Sequence, residues 1–252
     1  MNEFSISESE TRTFGLNVFR AKITEWDSAF IQSWGASGDV DIIISRIDTR
    51  LQSKLFELKR LHSDTFLADA LVYYSVQLGN NSRPILPEGI SIRRAGSEDQ
   101  NILEDLILKI FKGYKNHYHS NPLFSNVDLA KGYLEWSLPY LNEEDKRCLI
   151  ISENGIPAGF LTAKLNSGSE PFGDIILNGI VKAFEGRGYY SLLLRELKFL
   201  LSEAGYKRLI VSTQLNNQRV QAVWAKEGLT IYDSFYTFHH FLSHKSRQSL
   251  IN

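Results

Sequence analysis

Asp174-Ile175-Ile176-Leu177-Asn178-Gly179-Ile180-Val181, followed by Glu185-Gly186-Arg187-Gly188-Tyr189-Tyr190-Ser191 and a leucine-rich run to Leu201, is the stretch around which the chain is organised. The order of β-branched run, glycines and helically spaced leucines predicts a strand, a tight turn and a helix over Tyr189–Ala204. Two glycines one residue apart let the backbone turn sharply and leave successive N–H groups unobstructed. The first turn of the following helix adds unpaired N–H groups and the positive end of its dipole, so a phosphate is the natural occupant. An ordinary strand-to-helix connection has the same ingredients, and the context must decide between them. Two other phosphate sites are excluded by spacing: the chain has no Gly-x-x-x-x-Gly-Lys-Ser/Thr here, and no Gly-x-Gly-x-x-Gly.

Beyond the turn, a second apolar run, Arg208–Val211, leads to Asn216-Asn217, Val220, Trp224 and Gly228-Leu229. With Gly186, Arg187 and Gly188, these residues resemble the acyl-CoA signature of the GNAT superfamily of N-acyltransferases. Glu185 stands where the family carries Arg or Gln, Tyr190 where it carries a small residue, and Trp224 where it carries a tyrosine. The resemblance covers about Ile90 to Leu242. It implies an α/β (α+β) fold with a central mixed, mostly antiparallel sheet flanked by helices. It also implies acyl-CoA as co-substrate, no metal, and direct transfer to an amine without a covalent acyl-enzyme. The cofactor residues it implies are Gly179, Ile180, Val181, Gly186, Arg187, Gly188, Tyr189, Tyr190, Ser191, Asn217 and Trp224.

The chain has 252 residues, enough for one large or two modest domains. We divide it into a small α/β domain, residues 1–83, and a catalytic domain, residues 84–252, at the turn-rich linker Gly79-Asn80-Asn81-Ser82-Arg83-Pro84. In the first part, Thr13–Ile23 reads as a strand bent at Gly15, Ile42–Leu61 as an amphipathic helix, and Phe66–Leu78 as a strand pair. In the second, Ile90–Arg93 reads as a strand, Ser97 and Asp99 open a helix through Ile110, and Val127–Leu138 has helical spacing. Cys148–Glu153 and Ala158–Leu165 flank an Asn154-Gly155 hairpin turn. The final strands are expected at Thr230–Ile231 and Ser234–Phe241.

With 28 Lys+Arg against 29 Asp+Glu, the balance of charge gives no footprint for nucleic acid. The single cysteine, Cys148, excludes an internal disulfide and any multi-cysteine metal site, and its strand-like setting makes it a core residue. The polar N-terminus and the lack of a long apolar run point to a cytoplasmic protein without membrane insertion. A homo-oligomer stays open.

Short matches, Phe14-Gly15-Leu16-Asn17 and Thr213-Gln214-Leu215-Asn216-Asn217, resemble the bacterial dTDP-fucosamine acetyltransferase branch of the superfamily. That branch acylates an amino-dideoxy sugar carried on a nucleotide, for surface polysaccharide biosynthesis. The acceptor it implies is a nucleotide sugar, and Tyr114, His117 and Tyr118, in a loop mixing rings and polar groups, are its expected contacts. Another small-molecule or peptide amine, or a CoA-binding module without catalysis, are the competing readings. An indole N–H has no readily transferable proton, so Trp224 is read as packing under the cofactor. His239 and His240 are adjacent on a strand and face opposite sides. A histidine suits the amine's proton, and His240 is taken as the candidate base, with Asn217 as the second candidate catalytic residue.

Overall fold

The computed structural model describes residues 2–36, 39–124 and 129–242. The first part runs β1 (Glu3–Ile6), α1 (Glu8–Phe14), β2 (Val18–Ile23), α2 (Ser28–Gln32), β3 (Ile42–Asp48), α3 (Leu55–Leu61) and β4 (Thr65–Gln77). The second runs β5 (Ile90–Arg94), α4 (Gln100–Phe111), α5 (Leu129–Ser137), β6 (Lys146–Glu153), β7 (Ile156–Asn166) and β8 (Phe172–Ile180), then α6 (Tyr189–Glu203), β9 (Arg208–Gln214), α7 (Gln218–Lys226) and β10 (Thr230–Phe241). All ten strands form one sheet in the order β1-β2-β3-β10-β4-β9-β8-β7-β6-β5. Among the described residues only β2–β3 and β8–β9 are parallel. This is a mixed, mostly antiparallel sheet flanked by helices, the architecture that the resemblance implied.

From β5 onward the expected elements lie close to their places, including the hairpin turned at Asn154-Gly155. The helical spacing from 127 to 138 becomes α5 at Leu129–Ser137, its first two residues lying outside the described ones. The first part needs three corrections. The strand expected over Thr13–Ile23 starts only at Val18, because Glu8 and Glu10 at one end and Arg12 at the other suit the dipole of α1, which stops at Gly15. The helix expected over Ile42–Leu61 is β3, a 3₁₀ segment and α3. Ile43 and Ile47 face one core and Ile42 and Ile44 another, so a strand covered on both faces shows no alternation. The strand pair expected over Phe66–Leu78 is the single long β4, bonded to β10 on one side and β9 on the other. At the C-terminus the two final strands are also one, β10, with an irregularity between Ile231 and Asp233.

Four apolar clusters stabilise the sheet. Leu193, Leu194, Leu197 and Leu201 of α6 pack on one face with Trp224. Leu103, Leu106, Ile107 and Phe111 of α4 pack on the other with Cys148 and Phe160. Trp34, fully buried, centres the core beneath α2 and α3, and Tyr118 and Phe124 pack across β2 and β3 from it.

The division at residue 83 falls in the connection from β4 to β5, and the sheet runs across it: β4 lies between β9 and β10. A chain beginning at residue 84 would expose one edge of β9 and both edges of β10, with their apolar faces. Such edges pair with other chains. We expect that fragment to be aggregated by size-exclusion chromatography, and co-expression with residues 1–83 to restore a soluble complex.

Candidate functional site

Strands β8 and β9 pair only from Phe172–Ile175 with Arg208–Val211 and then diverge. The divergence begins at a bulge: Thr162 and Ala163 of β7 pair with Leu177 and Ile175, leaving Ile176 unpaired. Thr162 Oγ1 secures it, donating to the Leu177 carbonyl and accepting from the Leu177 N–H, each at 3.0 Å. A cleft of about 700 Å³ fills the opening, walled by Ile176–Ile180, Ser212–Gln214, Asn217 and Trp224.

One end of the cleft is the glycine turn. Gly186 and Gly188 adopt φ of 79° and 80°, the left-handed region open to glycine, and Gly188 caps α6 with no side chain folded back on it. Gly186, Gly188, Tyr189, Tyr190 and Ser191 line the cleft here, and the first N–H groups of α6 have no partner within the helix. Two cofactor residues lie elsewhere. Arg187 turns away to pair with Glu153 at 2.6 Å and cover the Phe184 ring, and Val181 donates its N–H to Ala158 and packs against the α4 core. Glu185 pairs with Arg219 at 2.5 Å, not with Arg187.

Between turn and opening, the Trp224 indole N–H donates to the Tyr190 hydroxyl at 2.8 Å, and the Trp224 ring packs against Tyr74. Burial raises the Tyr190 pKa against the pull of the Trp224 hydrogen bond, which keeps the phenol protonated. With its oxygen accepting from Trp224, its own proton is left to donate.

The far end is polar. The Tyr114 hydroxyl donates to Gln214 Oε1 at 2.7 Å, and the Gln214 amide donates to the Lys115 carbonyl. His117 Nδ1 lies 3.0 Å from His239 Nε2, and His239 Nδ1 lies 2.9 Å from the Asn121 amide nitrogen. Asn121 Oδ1 accepts from the Leu123 N–H, so its amide nitrogen faces His239. This order makes His239 accept at Nδ1 and donate from Nε2, leaving His117 with Nε2–H as its remaining donor. Burial drives the pKa of both rings down, His239 to about 3. His117, on the cleft wall, is thus a neutral donor and not a base.

Tyr118 touches the cleft but spends its hydroxyl on Glu10 at 2.5 Å, where Arg20 forms a two-pronged ion pair. His240 is no part of the cleft wall. It points to the opposite face of the sheet, its nitrogens 2.7 Å from Ser45 and Thr65 hydroxyls and its ring against Trp34, so it is a core residue. Asn217 lines the cleft and donates to Thr213. Sequence reading missed Arg20, Arg46 and Asp69, and named Gln214 only within the Thr213–Asn217 match; all four are on the wall. The only signal of the first three was polarity inside strands, and they lie far from the cofactor motif in sequence.

Residues 110–229 match the family model for the acetyltransferase (GNAT) family. No curated protein matches the chain. Among solved structures, a GCN5-related N-acetyltransferase from Sphaerobacter thermophilus is similar over 96% of this chain and 76% of its own, at 13% identity and a TM-score of 0.66. One from Kribbella flavida is similar over 88% of this chain and 81% of its own, at 13% identity and a TM-score of 0.61. A tandem GNAT protein from the clavulanic acid biosynthesis pathway aligns over 89% of this chain and 75% of its own, at 14% identity and a TM-score of 0.57. At these identities the likeness is one of fold.

Buried neutral histidines carry a pH dependence. For His239 the folded pKa, about 3, lies below the unfolded value, so the unfolded chain takes up the proton first as pH falls. Its contribution is fully present above about pH 6.5 and lost below it, by about 1.4 kcal/mol between about pH 7.5 and 5.5. His117 and His240 act in the same direction. Urea denaturation midpoints should fall across that interval, and fall less in His239→Gln.

Proposed function

With residues 110–229 matched to the GNAT family, we propose that this protein is an acyl-CoA-dependent N-acyltransferase. The observation that carries the proposal is one continuous cleft joining an anion-binding glycine turn, an opened pair of strands and a polar far end. The pyrophosphate of acyl-CoA would meet the N–H groups of Gly186–Ser191, and the pantetheine would lie beside Leu177–Ile180, whose edge facing β9 has backbone groups to offer. Holding a thioester carbonyl and an amine in one channel supplies most of what the reaction needs, since orientation replaces a chance encounter.

The amine nitrogen attacks the thioester carbon, a C–N bond forms, the C–S bond breaks, the amine's proton leaves to water, and the departing thiolate gains one from a donor that water reprotonates. Trp224 cannot supply that proton, but the Tyr190 phenol beside it can donate toward the sulfur. In this reading the indole accounts for the orientation of the phenol. For the acceptor we propose a nucleotide-linked amino-dideoxy sugar, supported by the resemblance to the fucosamine branch and by Tyr114 and His117 at the far end of the cleft. A nucleotide diphosphate would give binding energy away from the reacting amine and use it for orientation.

The test has a binding arm and a chemical arm. Gly188→Val forces a β-branched residue into the left-handed region and should weaken CoA binding at least about tenfold by calorimetry. Unchanged affinity would remove the anion site. Release of CoA with a dTDP-linked amino sugar, and much slower release with the free sugar, is the expected outcome for the acceptor; equal rates would redirect the search to other amines.

Tyr190→Phe should lower kcat on the order of a hundredfold with the KM for acyl-CoA little changed. Trp224→Phe, which removes only the orienting N–H, should lose less. The reverse ranking, with both variants folded by circular dichroism, would take the proton donor away from Tyr190.

A further inference from the structure

Five buried side-chain polar atoms lack a hydrogen-bond partner among the described residues, and three lie in one row: Arg46 Nε, Thr237 Oγ1 and Asp69 Oδ2. Arg46 of β3 pairs with Thr237 of β10, and Thr237 pairs with Asp69 of β4. Residues directly opposed across antiparallel strands share a face. Two strand spacings put the Arg46 and Asp69 backbones about 10 Å apart. Arg46 and Asp69 both form part of the cleft wall, and Thr237 lies buried between them.

The charges of this row are not spent on each other. Arg46 donates to the Tyr73 hydroxyl at 2.8 Å, and Asp69 Oδ1 accepts from the Ala70 N–H at 2.7 Å. Neither residue takes part in an ion pair among the described residues, whereas Arg20 nearby is fully engaged by Glu10. Burial raises the Asp69 pKa, with the Ala70 N–H, the nearby Gln214 amide and the Arg46 charge acting against it. Opposite charges kept apart in a part-buried cleft are costly unless something of complementary layout meets both. Asp69 also sits beside the end of β9, since the Leu215 N–H bonds to the carbonyl of Ala70, its chain neighbour.

We propose that Arg46 and Asp69, with Thr237 buried between them, form the acceptor subsite, selecting a small amine that also carries an anionic group, with the amine against Asp69, where it arrives as ammonium and loses its proton to water before attack, and the anion against Arg46. The inference rests on the acyl-transfer reading and explains what residues 1–83 add: two of the three side chains come from them. A carboxylate, a phosphate ester and the diphosphate of a nucleotide sugar share the required chemistry.

Matched pairs of amines test it: 4-aminobutyrate against butylamine, O-phosphoethanolamine against ethanolamine, and a dTDP-linked amino sugar against the free sugar. CoA release should favour at least one anionic member by tenfold or more, and the pair that responds names the anion. Arg46→Gln should abolish that preference by lowering the rate on the anionic member at least tenfold more than on its uncharged partner, and Arg46→Glu should shift it toward 1,4-diaminobutane. Asp69→Asn should lower kcat/KM for every amine, with CoA affinity by calorimetry unchanged. Binding of the anionic amines to the CoA-loaded protein is measured separately by calorimetry. Arg46-dependent binding without CoA release from acetyl-CoA would keep the subsite and end the acyl-transfer reading. Turnover without charge preference, equal loss on both members of each pair in Arg46→Gln, or neither binding nor turnover with any anionic amine would overturn the subsite.

Discussion

The placement of β4 between β9 and β10 is the constraint on which the site depends. A cleft formed by parting two strands is unstable by itself, because the strand that turns away would leave its backbone groups without partners. Here β9 is held on its other side along Leu71–Gln77 of β4, so it can leave β8 after Val211 without losing its register. On the far wall, β8 keeps its bonds to β7 through the Ile176 bulge, where the Thr162 hydroxyl takes the place of a ladder partner. The wedge is therefore built from strands that are each satisfied from behind. The strand that secures β9 comes from the first 83 residues, and so do Arg46 and Asp69 at the polar end of the cleft.

At the other end, the chemistry is divided between backbone and side chains. The anion binding proposed for Gly186–Ser191 would need only N–H groups and a left-handed turn, which Glu185 and the outward turn of Arg187 leave in place. Side-chain chemistry is less tolerant: in the proposed acyl transfer, an indole at 224 would leave proton donation to another group. Tyr190 and Trp224 work as a unit, because one hydrogen bond both satisfies the buried indole and fixes where the phenol proton can go. Two departures from the motif, each unfavourable if taken alone, fit each other.

The second half was legible because its signals are local. A glycine pair before a leucine-spaced helix, an Asn-Gly hairpin and alternating strands all act within a few residues, and β5–β9 lie where those patterns put them. In the first half, Ile42–Ile44 is buried by partners distant in sequence on both faces, and its apolar spacing imitates a helix. The glycine turn at one end of the cleft was readable for the same local reason, whereas the polar end was not. Pairing of Arg46 and Asp69 with Thr237 is set by β10, about 170 to 190 residues away along the chain, and no periodicity reports it. His240 shows the opposite error: its residue type suits proton transfer, yet strand parity turns it into the Trp34 core, and its neighbour His239 reaches the cleft only through His117.

The loop from Phe111 to Phe124 shows how this division of labour extends to individual side chains. Tyr118 lines the cleft, but its hydroxyl closes the buried Glu10–Arg20 pair. Burial alone would raise Glu10, but the Arg20 charge and the hydrogen bonds from Arg20, Ser7 and Tyr118 hold its pKa below the ordinary value. Removing one partner of such a pair strands a buried charge, at about 3–5 kcal/mol. The clamp therefore fixes the loop against the first part of the chain, and rigidity there carries through to its neighbour. His117 is adjacent to Tyr118 and is itself oriented by His239 and Asn121, so its remaining N–H is presented to the cleft in one direction. A loop that is tied at Tyr118 can offer Tyr114 and His117 to a ligand without first being ordered, which lowers the entropic cost of binding.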